Sequence, residues 1–485
     1  MHMPPPNTSP FARPYVISWN LTYRCNLACE HCYLDAGGTP LPPQRAENAR
    51  RGPRLVGTEN FADRSELGTD ECFRVIDEIA AFAPECLTIL TGGEPLLRRD
   101  ILEIVRRAAE RDLWVVVGTN GVRITENVAR RLAEAGARGL SLSLDALDAD
   151  RHDRFRKVRG AWQNTVEGAE ILHRTGLPFI VQTTAGSHNL GELDAIADFA
   201  HDRLAAKVWN LYFLVPTGRG QFVSDITPAQ YDDVLASLYR IQRKYDRRML
   251  VNAKCAPHYL KTVLENAAQT DPIPTDAEPH PGESSRAPSW PGASPIRTYS
   301  GGAGGCPAGT HYMGIRPNGD VTPCPYLPVF AGTLRTASLG DLWGSSELFT
   351  DIRRRTSLGG RCGACELNGH CGGCRARAYG MTGDLMAEDS LCTHTPGTFA
   401  GSRLLALYRP AAASGASAIE YGPESPATIA WDEAAAARMK KIPAFVRGMV
   451  VRAVEESCRR NGLDRVTVDE LERIRARMPT PKVFG

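Results

Sequence analysis

Cys25-Asn26-Leu27-Ala28-Cys29-Glu30-His31-Cys32 puts three thiols on one short loop at CxxxCxxC spacing, soon after the apolar run Tyr15-Val16-Ile17-Ser18-Trp19. Three thiolates hold three irons of a [4Fe–4S] cube and leave the fourth iron without a protein ligand. A cluster meant only for electron transfer takes four cysteines. An open iron can bind a small molecule instead. A structural zinc loop is the competing reading, but zinc sites pair two such knuckles, and no fourth cysteine lies near this loop.

Further along, Thr88-Ile89-Leu90-Thr91-Gly92-Gly93-Glu94-Pro95 is a short apolar run ending in GGEP, and Leu113 to Gly121 is a strand ending in the polar turn Thr119-Asn120-Gly121. Leu140-Ser141-Leu142-Ser143-Leu144-Asp145 alternates and ends in a carboxylate. In this order and spacing the set resembles the radical SAM enzymes. The resemblance implies that the open iron is chelated by the amino and carboxylate groups of S-adenosylmethionine. Reductive cleavage then releases a 5′-deoxyadenosyl radical, which is the oxidant, so no side chain is assigned a catalytic role. It further implies cofactor contacts at His31, Gly92, Gly93, Glu94, Pro95, Asn120, Ser143 and Asp145. The glycines are expected to let backbone approach the amino group, and His31 fills a position where that family usually carries an aromatic ring.

From about 15 to 215, apolar strands at 15–19, 87–91, 113–117, 140–144, 178–184 and 208–214 alternate with amphipathic helical stretches such as Thr69 to Phe82 and Ile101 to Arg111. That alternation predicts βαβ units and a parallel sheet. The fold class is therefore α/β, with six units matching the partial (β/α)6 TIM-type barrel that the resemblance implies. Its cofactor loops belong at the C-terminal strand ends.

The chain has 485 residues and a formal net charge of +2. It is too long for one ordinary domain and too balanced in charge to imply nucleic acid or an anionic membrane as partner. No stretch approaches the roughly 20 apolar residues of a spanning helix, and the start lacks the charged and apolar regions of a signal peptide. A cytoplasmic location is expected. Fourteen cysteines would be unusual as disulfides in that compartment; clustered, they read as metal ligands. Cys72, Cys86 and Cys458 stand apart and read as packing residues.

The expected organisation is a flexible N-terminus at 1–14, a core at 15–230, a cysteine-rich domain at 231–400, a linker at 401–429 and a helical tail at 430–485. Residues 38–60, rich in Pro, Gly and Arg, read as a flexible insertion over the site. A second insertion, about 265–305, is dense in Pro, Gly and Ser and is expected to be disordered or a lid. Little apolar periodicity marks 306–395, so metal more than core is expected to hold it. In the tail, Ile442, Phe445, Val446, Met449, Val450, Ala453 and Val454 trace one helical face. Gly462 stops that helix, and Thr467-Val-Asp-Glu470 is a capping box opening the next.

Cys306, Cys324, Cys362, Cys365, Cys371, Cys374 and Cys392 form the pattern C, GxxxxC, CxxCx5CxxC, C. This resembles the SPASM extension of radical SAM enzymes, which houses one or two auxiliary [4Fe–4S] clusters. Carried over, the resemblance groups Cys362, Cys365, Cys371 and Cys392. Cys306, Cys324 and Cys374 then need a fourth partner, and Cys255 is the free cysteine close upstream. Whether Cys255 is a ligand or merely buried stays open at this point.

Arg151 to Arg156 with Gly160-Ala161-Trp162, Leu214 to Gly220, Pro323 to Pro328 and Cys371 to Tyr379 are similar to haem-pathway members, closest to the haem synthases of the sirohaem-based route. Thr382-Gly383-Asp384-Leu385 is shared with haem d1 synthases. The tail resembles the small C-terminal domain of the light-independent protochlorophyllide reductase B subunit. These resemblances imply oxidative decarboxylation of iron-coproporphyrin propionates to vinyls, a small-molecule tetrapyrrole partner, and an electron donor such as flavodoxin or ferredoxin. Arg316, Arg375 and Arg377 are expected to be solvated rather than substrate ligands. The alternatives are a SPASM-type maturase of a ribosomally made peptide and, more remotely, a non-catalytic iron–sulfur electron carrier.

Overall fold

A computed structural model describes residues 12–37, 65–223, 226–245, 248–270, 305–401, 428–440, 442, 450–451, 454–455 and 457–477. The insertion at 38–60, most of that at 265–305, nearly all of 401–429, and Phe445, Val446, Met449 and Ala453 lie outside the described residues.

Seven parallel strands pair in chain order: β1 (Val16–Asn20), β2 (Leu87–Thr91), β3 (Trp114–Gly118), β4 (Gly139–Ser143), β5 (Phe179–Ala185), β6 (Val208–Phe213) and β7 (Leu250–Lys254). The connections run through α1 (Thr69–Phe82), α2 (Ile101–Glu110), α3 (Glu126–Glu134), α4 (Ala149–Arg156), α5 (Ala161–Thr175), α6 (Leu193–Asp198) and α7 (Pro228–Lys244); α8 (Tyr259–Thr270) follows β7. Each helix forms for local reasons. In α1, Cys72, Val75, Ile76 and Ile79 recur at helical spacing and are buried, while Glu71 reaches back to the Gly68 amide at 2.9 Å. In α7, Pro228 sits in the first turn and Thr227 with Gln230 closes a reciprocal cap.

The strands alternate in a telling way. Thr88, Leu90, Val115, Val117, Phe179, Val181 and Thr183 are buried on one face, and the apolar ones join the helices in a single core. Ile89, Thr91, Val116, Gly118, Ile180, Gln182 and Thr184, on the other face, stay half-buried. A fully packed barrel would bury both faces; here β2, β3 and β5 leave the inner one half-buried.

The sheet continues beyond the six expected strands. β7 adds a seventh parallel strand, and Cys255 is the residue directly after it. At the other edge, β8 (Tyr312–Ile315) pairs parallel with β1, followed by antiparallel β9 (Asp320–Thr322) and β10 (Gly332–Thr333). The cysteine-rich segment thus completes the sheet at both edges. Nor is it held by metal ligands alone. In α9 (Leu339–Ser345) and α10 (Glu347–Arg353), Trp343 and Phe349 meet with ring centroids 5.0 Å apart and join the main core. Two further short helices, α11 (Gly360–Ala364) and α12 (Arg375–Thr382), carry cysteines at or beside their starts.

In the tail, β11 (Ala430–Trp431) pairs parallel with β12 (Arg465–Val466), flanked by α13 (Glu433–Lys440) and α14 (Val468–Arg477). Ala435, Val454, Cys458, Val466 and Ile474 make a small separate core. Gly462 has φ 68°, and Thr467 Oγ1 accepts from the Glu470 amide at 3.3 Å, as the cap pattern requires. Cys72 and Cys86 belong to the main core. Among the described residues no helix is long and apolar enough to cross a membrane.

Candidate metal centres

The loop bearing Cys25, Cys29 and Cys32 leaves the C-terminal end of β1 and is fixed from three sides. Arg219 donates from Nε to the Cys29 carbonyl at 2.8 Å, from one terminal nitrogen to Asp35 at 2.7 Å and from the other to the Ala36 carbonyl at 3.0 Å. The amides of Ala28 and Glu30 donate to the carbonyls of Arg156 and Phe155. The third anchor is the GGEP turn, where Gly93 and Glu94 donate to the carbonyls of Thr22 and Arg24 at 2.7 and 2.8 Å. A Cβ on Gly93 would stand 2.2 Å from the Arg24 carbonyl oxygen. The cluster loop itself therefore leaves no room for a side chain at Gly93.

The sulfurs are prepared for charge. Leu27 N–H donates to Cys25 Sγ at 3.4 Å, Ala36 N–H to Cys32 Sγ at 3.3 Å, and the Arg156 guanidinium lies 3.5 Å from Cys29 Sγ. Burial nonetheless pushes the Cys25 thiol up to about 12. Burial raises Cys29 as well; thiols held up in this way ionise readily only on meeting a cation, so the donor set fits an iron–sulfur core.

Two carboxylates read from sequence as cofactor contacts are turned inward. Glu94 is fully buried: Oε1 accepts from Thr119 Oγ1 at 2.8 Å and Leu96 N–H at 3.1 Å, and Oε2 from Asn120 N–H at 2.9 Å. It clamps the turn after β2 to the turn after β3. Asp145 accepts from Thr184 N–H at 2.8 Å and forms a buried ion pair with Arg156. It reaches Cys29 through that guanidinium. Arg156 is the site residue that the motif reading quoted without giving it a role. Asn120 sits beside the loop, donating to Asn26 Oδ1 at 2.8 Å, with Nδ2 4.0 Å from Cys25 Sγ. Pro95 is buried at the start of a single 3₁₀ turn. Ser143 ends β4 opposite Gln182, half-buried on the inner face of the sheet.

His31 stacks on Phe155 at 4.5 Å and Phe155 on His188 at 3.9 Å. A cleft of about 710 Å³, lined partly by Glu30, Arg154, Phe155, Lys157 and His188, opens beside this stack. Burial, reinforced by Arg156, lowers His31 to about 3, so its ring is neutral near pH 7. Among the described residues its Nδ1 is buried without a hydrogen-bond partner, an orphaned polar atom that suits a ligand such as S-adenosylmethionine.

The other cysteines form two groups. Cys362, Cys365, Cys371 and Cys392 line one enclosed cavity together with His258, Asp389 and His394. Cys306, Cys324 and Cys374 share a buried cluster, with Cys255 packed against it. Contact with the Cys255 thiol is the first cause that pushes Cys374 up to about 12, and contact with Cys374 is the first that raises Cys306. Cys324 is raised by burial and then by Cys306 and Cys374. The grouping inferred from resemblance is thus the grouping in space, with Cys255 in the second set.

Aromatic side chains link the three-thiol loop to this second set. Tyr33, next to Cys32, meets Tyr326, two residues after Cys324, with ring centroids 4.7 Å apart; Tyr212 of β6 lies 6.3 Å from Tyr326. The Tyr33 hydroxyl donates to Asn20 Oδ1 at 2.7 Å and Gln182 Nε2 to the Tyr212 hydroxyl at 3.3 Å. Asn252 donates to Asn210 at 2.9 Å. This inner face is polar and aromatic. Lys254 stands opposite Tyr212 in the β6–β7 register, and register partners share a face.

The expectation that Arg316, Arg375 and Arg377 are solvated fails. All three are buried, at 5 %, 0 % and 1 % exposure. Arg375 donates to the carbonyls of Leu385 and Ala387, Arg377 pairs with Asp389, and Arg316 lies 5.9 Å from the Tyr23 ring centroid.

Residues 19–200 match the Radical SAM superfamily, 306–374 an iron-sulfur cluster-binding (SPASM) domain, and 431–475 the Proto-chlorophyllide reductase 57 kD subunit family. The chain is 35 % identical over 384 residues to the AdoMet-dependent heme synthase of Methanosarcina barkeri, covering 79 % of this chain and 97 % of that one. It is 30 % identical to the pre-heme d1 synthase of Dinoroseobacter shibae, over 81 % of this chain and 89 % of that one. Among solved structures, Streptococcus suis SuiB bound to S-adenosylmethionine shares the fold at 16 % identity, with a TM-score of 0.55 over 79 % of this chain and 78 % of that one. The chain accordingly takes a [4Fe–4S] cluster with S-adenosylmethionine, and auxiliary iron–sulfur clusters in its cysteine-rich domain. It belongs to the radical SAM superfamily, in the SPASM-bearing branch that includes the AdoMet-dependent heme synthases.

Proposed function

We propose that this enzyme converts propionate side chains of an iron porphyrin, iron-coproporphyrin III, to vinyl groups in haem synthesis. The match to heme synthases, over 79 % of this chain and 97 % and 92 % of theirs, supports the substrate class, and the polar and aromatic inner face beside the thiol-bearing groups is the observation that supports the reading. In this reading Cys25, Cys29 and Cys32 hold the cluster with the open iron. Cys362, Cys365, Cys371 and Cys392 hold an outer auxiliary cluster, and Cys255, Cys306, Cys324 and Cys374 an inner one.

When bound, S-adenosylmethionine supplies a carbon radical that takes a hydrogen atom from the propionate β-carbon; carbon dioxide then leaves, a C=C bond forms, and one electron passes on. The chain's residues hold and orient the porphyrin for this. Tyr33, Tyr212 and Tyr326 offer flat faces, and Lys254 at the β7 rim offers a cation to a carboxylate, beside the Cys255 group that takes the electron. The phenols serve as wall rather than as redox carriers. Burial raises Tyr33 and Tyr212, and the Tyr33 hydroxyl donates to the Asn20 side-chain Oδ1, an amide oxygen that is no base for its proton. An external one-electron donor of the flavodoxin or ferredoxin class completes the scheme.

Losing one charged hydrogen bond costs about 1.5–3 kcal/mol. Lys254→Met should therefore weaken iron-coproporphyrin III binding roughly tenfold to hundredfold, measured by anaerobic absorbance titration, while S-adenosylmethionine cleavage without porphyrin is retained. Unchanged porphyrin affinity would remove Lys254 from the site. No porphyrin binding by the wild-type enzyme would remove the substrate class.

A further inference from the structure

Asp389 and Arg377 are fully buried, at 0 % and 1 % exposure, and lie where the two auxiliary thiol groups meet. Asp389 Oδ2 accepts from the Cys374 amide at 2.7 Å and from Arg377 at 2.9 Å, with His258 Nε2 at 3.3 Å; Oδ1 accepts from the Leu391 amide at 3.2 Å. On its other side Asp389 lines the cavity of Cys362, Cys365, Cys371 and Cys392. Gly373, between Cys371 of the outer set and Cys374 of the inner, has no room for a side chain. A Cβ there would stand 2.8 Å from Asp389 Cβ and 3.1 Å from Cys362 Sγ.

Arg377 carries the pair to the far ligand. It donates to the Cys255 carbonyl at 2.7 Å and lies 5.4 Å from the Tyr231 ring centroid; the Tyr231 hydroxyl is 2.9 Å from His258 Nδ1. Cys255 has φ 56°, a left-handed conformation that costs about 1–2 kcal/mol for a residue with a Cβ and persists only when its surroundings hold it. Arg377 supplies that hold. A buried carboxylate and guanidinium act on nearby charges with little screening. The two sets are also close, because residues three apart, such as Cys371 and Cys374, span at most about 11 Å.

We propose that the Asp389–Arg377 ion pair couples the two auxiliary centres: it holds Cys374 and Cys255 of the inner one, closes the cavity of the outer one, and sets the reduction potentials of both. This rests on the reading that each group of four thiols binds a cluster. The sets differ in exposure: three of the inner four, Cys306, Cys324 and Cys374, are buried and Cys255 is half-buried, whereas three of the outer four, Cys365, Cys371 and Cys392, are half-buried and Cys362 is buried. An electron taken from the substrate therefore leaves by way of the inner centre and then the outer one, past this pair. Asp389 and Arg377 are positioning residues; neither touches substrate.

The test is Asp389→Asn, reconstituted anaerobically, with redox titrations followed by EPR. Removing a negative charge beside both clusters makes each easier to reduce. Both auxiliary midpoint potentials should move positive, that of the S-adenosylmethionine-binding cluster should stay, and Asp389→Glu should restore the wild-type values. A shift confined to one auxiliary signal, or none, would reduce the pair to a structural staple and overturn the proposal. If Asp389→Asn does not fold, the wild-type holoprotein decides. Its two reduced auxiliary centres should broaden one another's EPR signals, and two unbroadened signals would refute the coupling. Iron analysis comes first: fewer than about eight auxiliary irons per chain would refute the two-cluster reading itself, and the coupling with it. Eight irons with unshifted potentials would refute the coupling alone.

Discussion

Cys29→Ala abolishes reductive cleavage of S-adenosylmethionine and leaves the auxiliary clusters in place, so iron falls from about twelve to about eight per chain. Two thiols cannot hold a cube that already lacks a fourth protein ligand. Cys29 is the buried member of the trio, and its sulfur faces the Arg156 guanidinium at 3.5 Å. The auxiliary sulfurs belong to separate packed groups and do not depend on this loop. 5′-Deoxyadenosine analysis and iron assay on the reconstituted variant check both halves. Cleavage that survives would place the open iron elsewhere in the chain.

Arg156→Met is expected to produce the largest loss of stability of any single change near the site, about 3–5 kcal/mol, because it strands the Asp145 carboxylate as an uncompensated buried charge. The double variant Asp145→Asn/Arg156→Met should recover a substantial part, since removing both partners removes the stranded charge. Burial works to raise the Asp145 carboxyl, but Arg156, aided by His31 and His152, outweighs it and holds the group well below the usual carboxylate range. With the folded value depressed, the pair's stabilisation is fully present above the unfolded value of about 3.9 and is lost as pH falls below it. Urea midpoints of the wild type should therefore fall between pH 5 and pH 3 by more than those of the double variant. Equal acid sensitivity, or a double variant no better than Arg156→Met, would show that the ion pair is not the stabilising element.

Much of the core was legible because parallel strands leave a simple trace. The six expected strands lie within one residue of those observed at each end, and Thr69–Phe82 is the helix its apolar spacing indicates. β7 escaped because Asn252 and Lys254, on the polar inner face of the sheet, break the apolar run that marks a strand. β8 escaped because it is four residues long and borrows its partner from the other end of the chain. The thiol groups were readable from spacing and resemblance, since iron–sulfur clusters are held chiefly by cysteine thiolates whatever surrounds them. The partners of the carboxylates were not: Glu94 accepts from Thr119 and Asn120 on a neighbouring turn, and Asp145 pairs with Arg156 on a neighbouring helix. For the buried arginines the sequence gives the charge and not the partner: Arg377 meets Asp389 only through the fold around the cysteines.

The proposed radical chemistry at the Cys25–Cys32 loop acts on a propionate of a porphyrin held against the inner face of the sheet. Its most direct test is anaerobic incubation of the reconstituted enzyme with S-adenosylmethionine, a strong reductant and iron-coproporphyrin III, followed by mass spectrometry of the porphyrin. Stepwise loss of two carboxyl groups, with 5′-deoxyadenosine formed in proportion, is the predicted result. An unchanged porphyrin beside continuing S-adenosylmethionine cleavage would contradict it and point the same inner face toward another tetrapyrrole or a peptide.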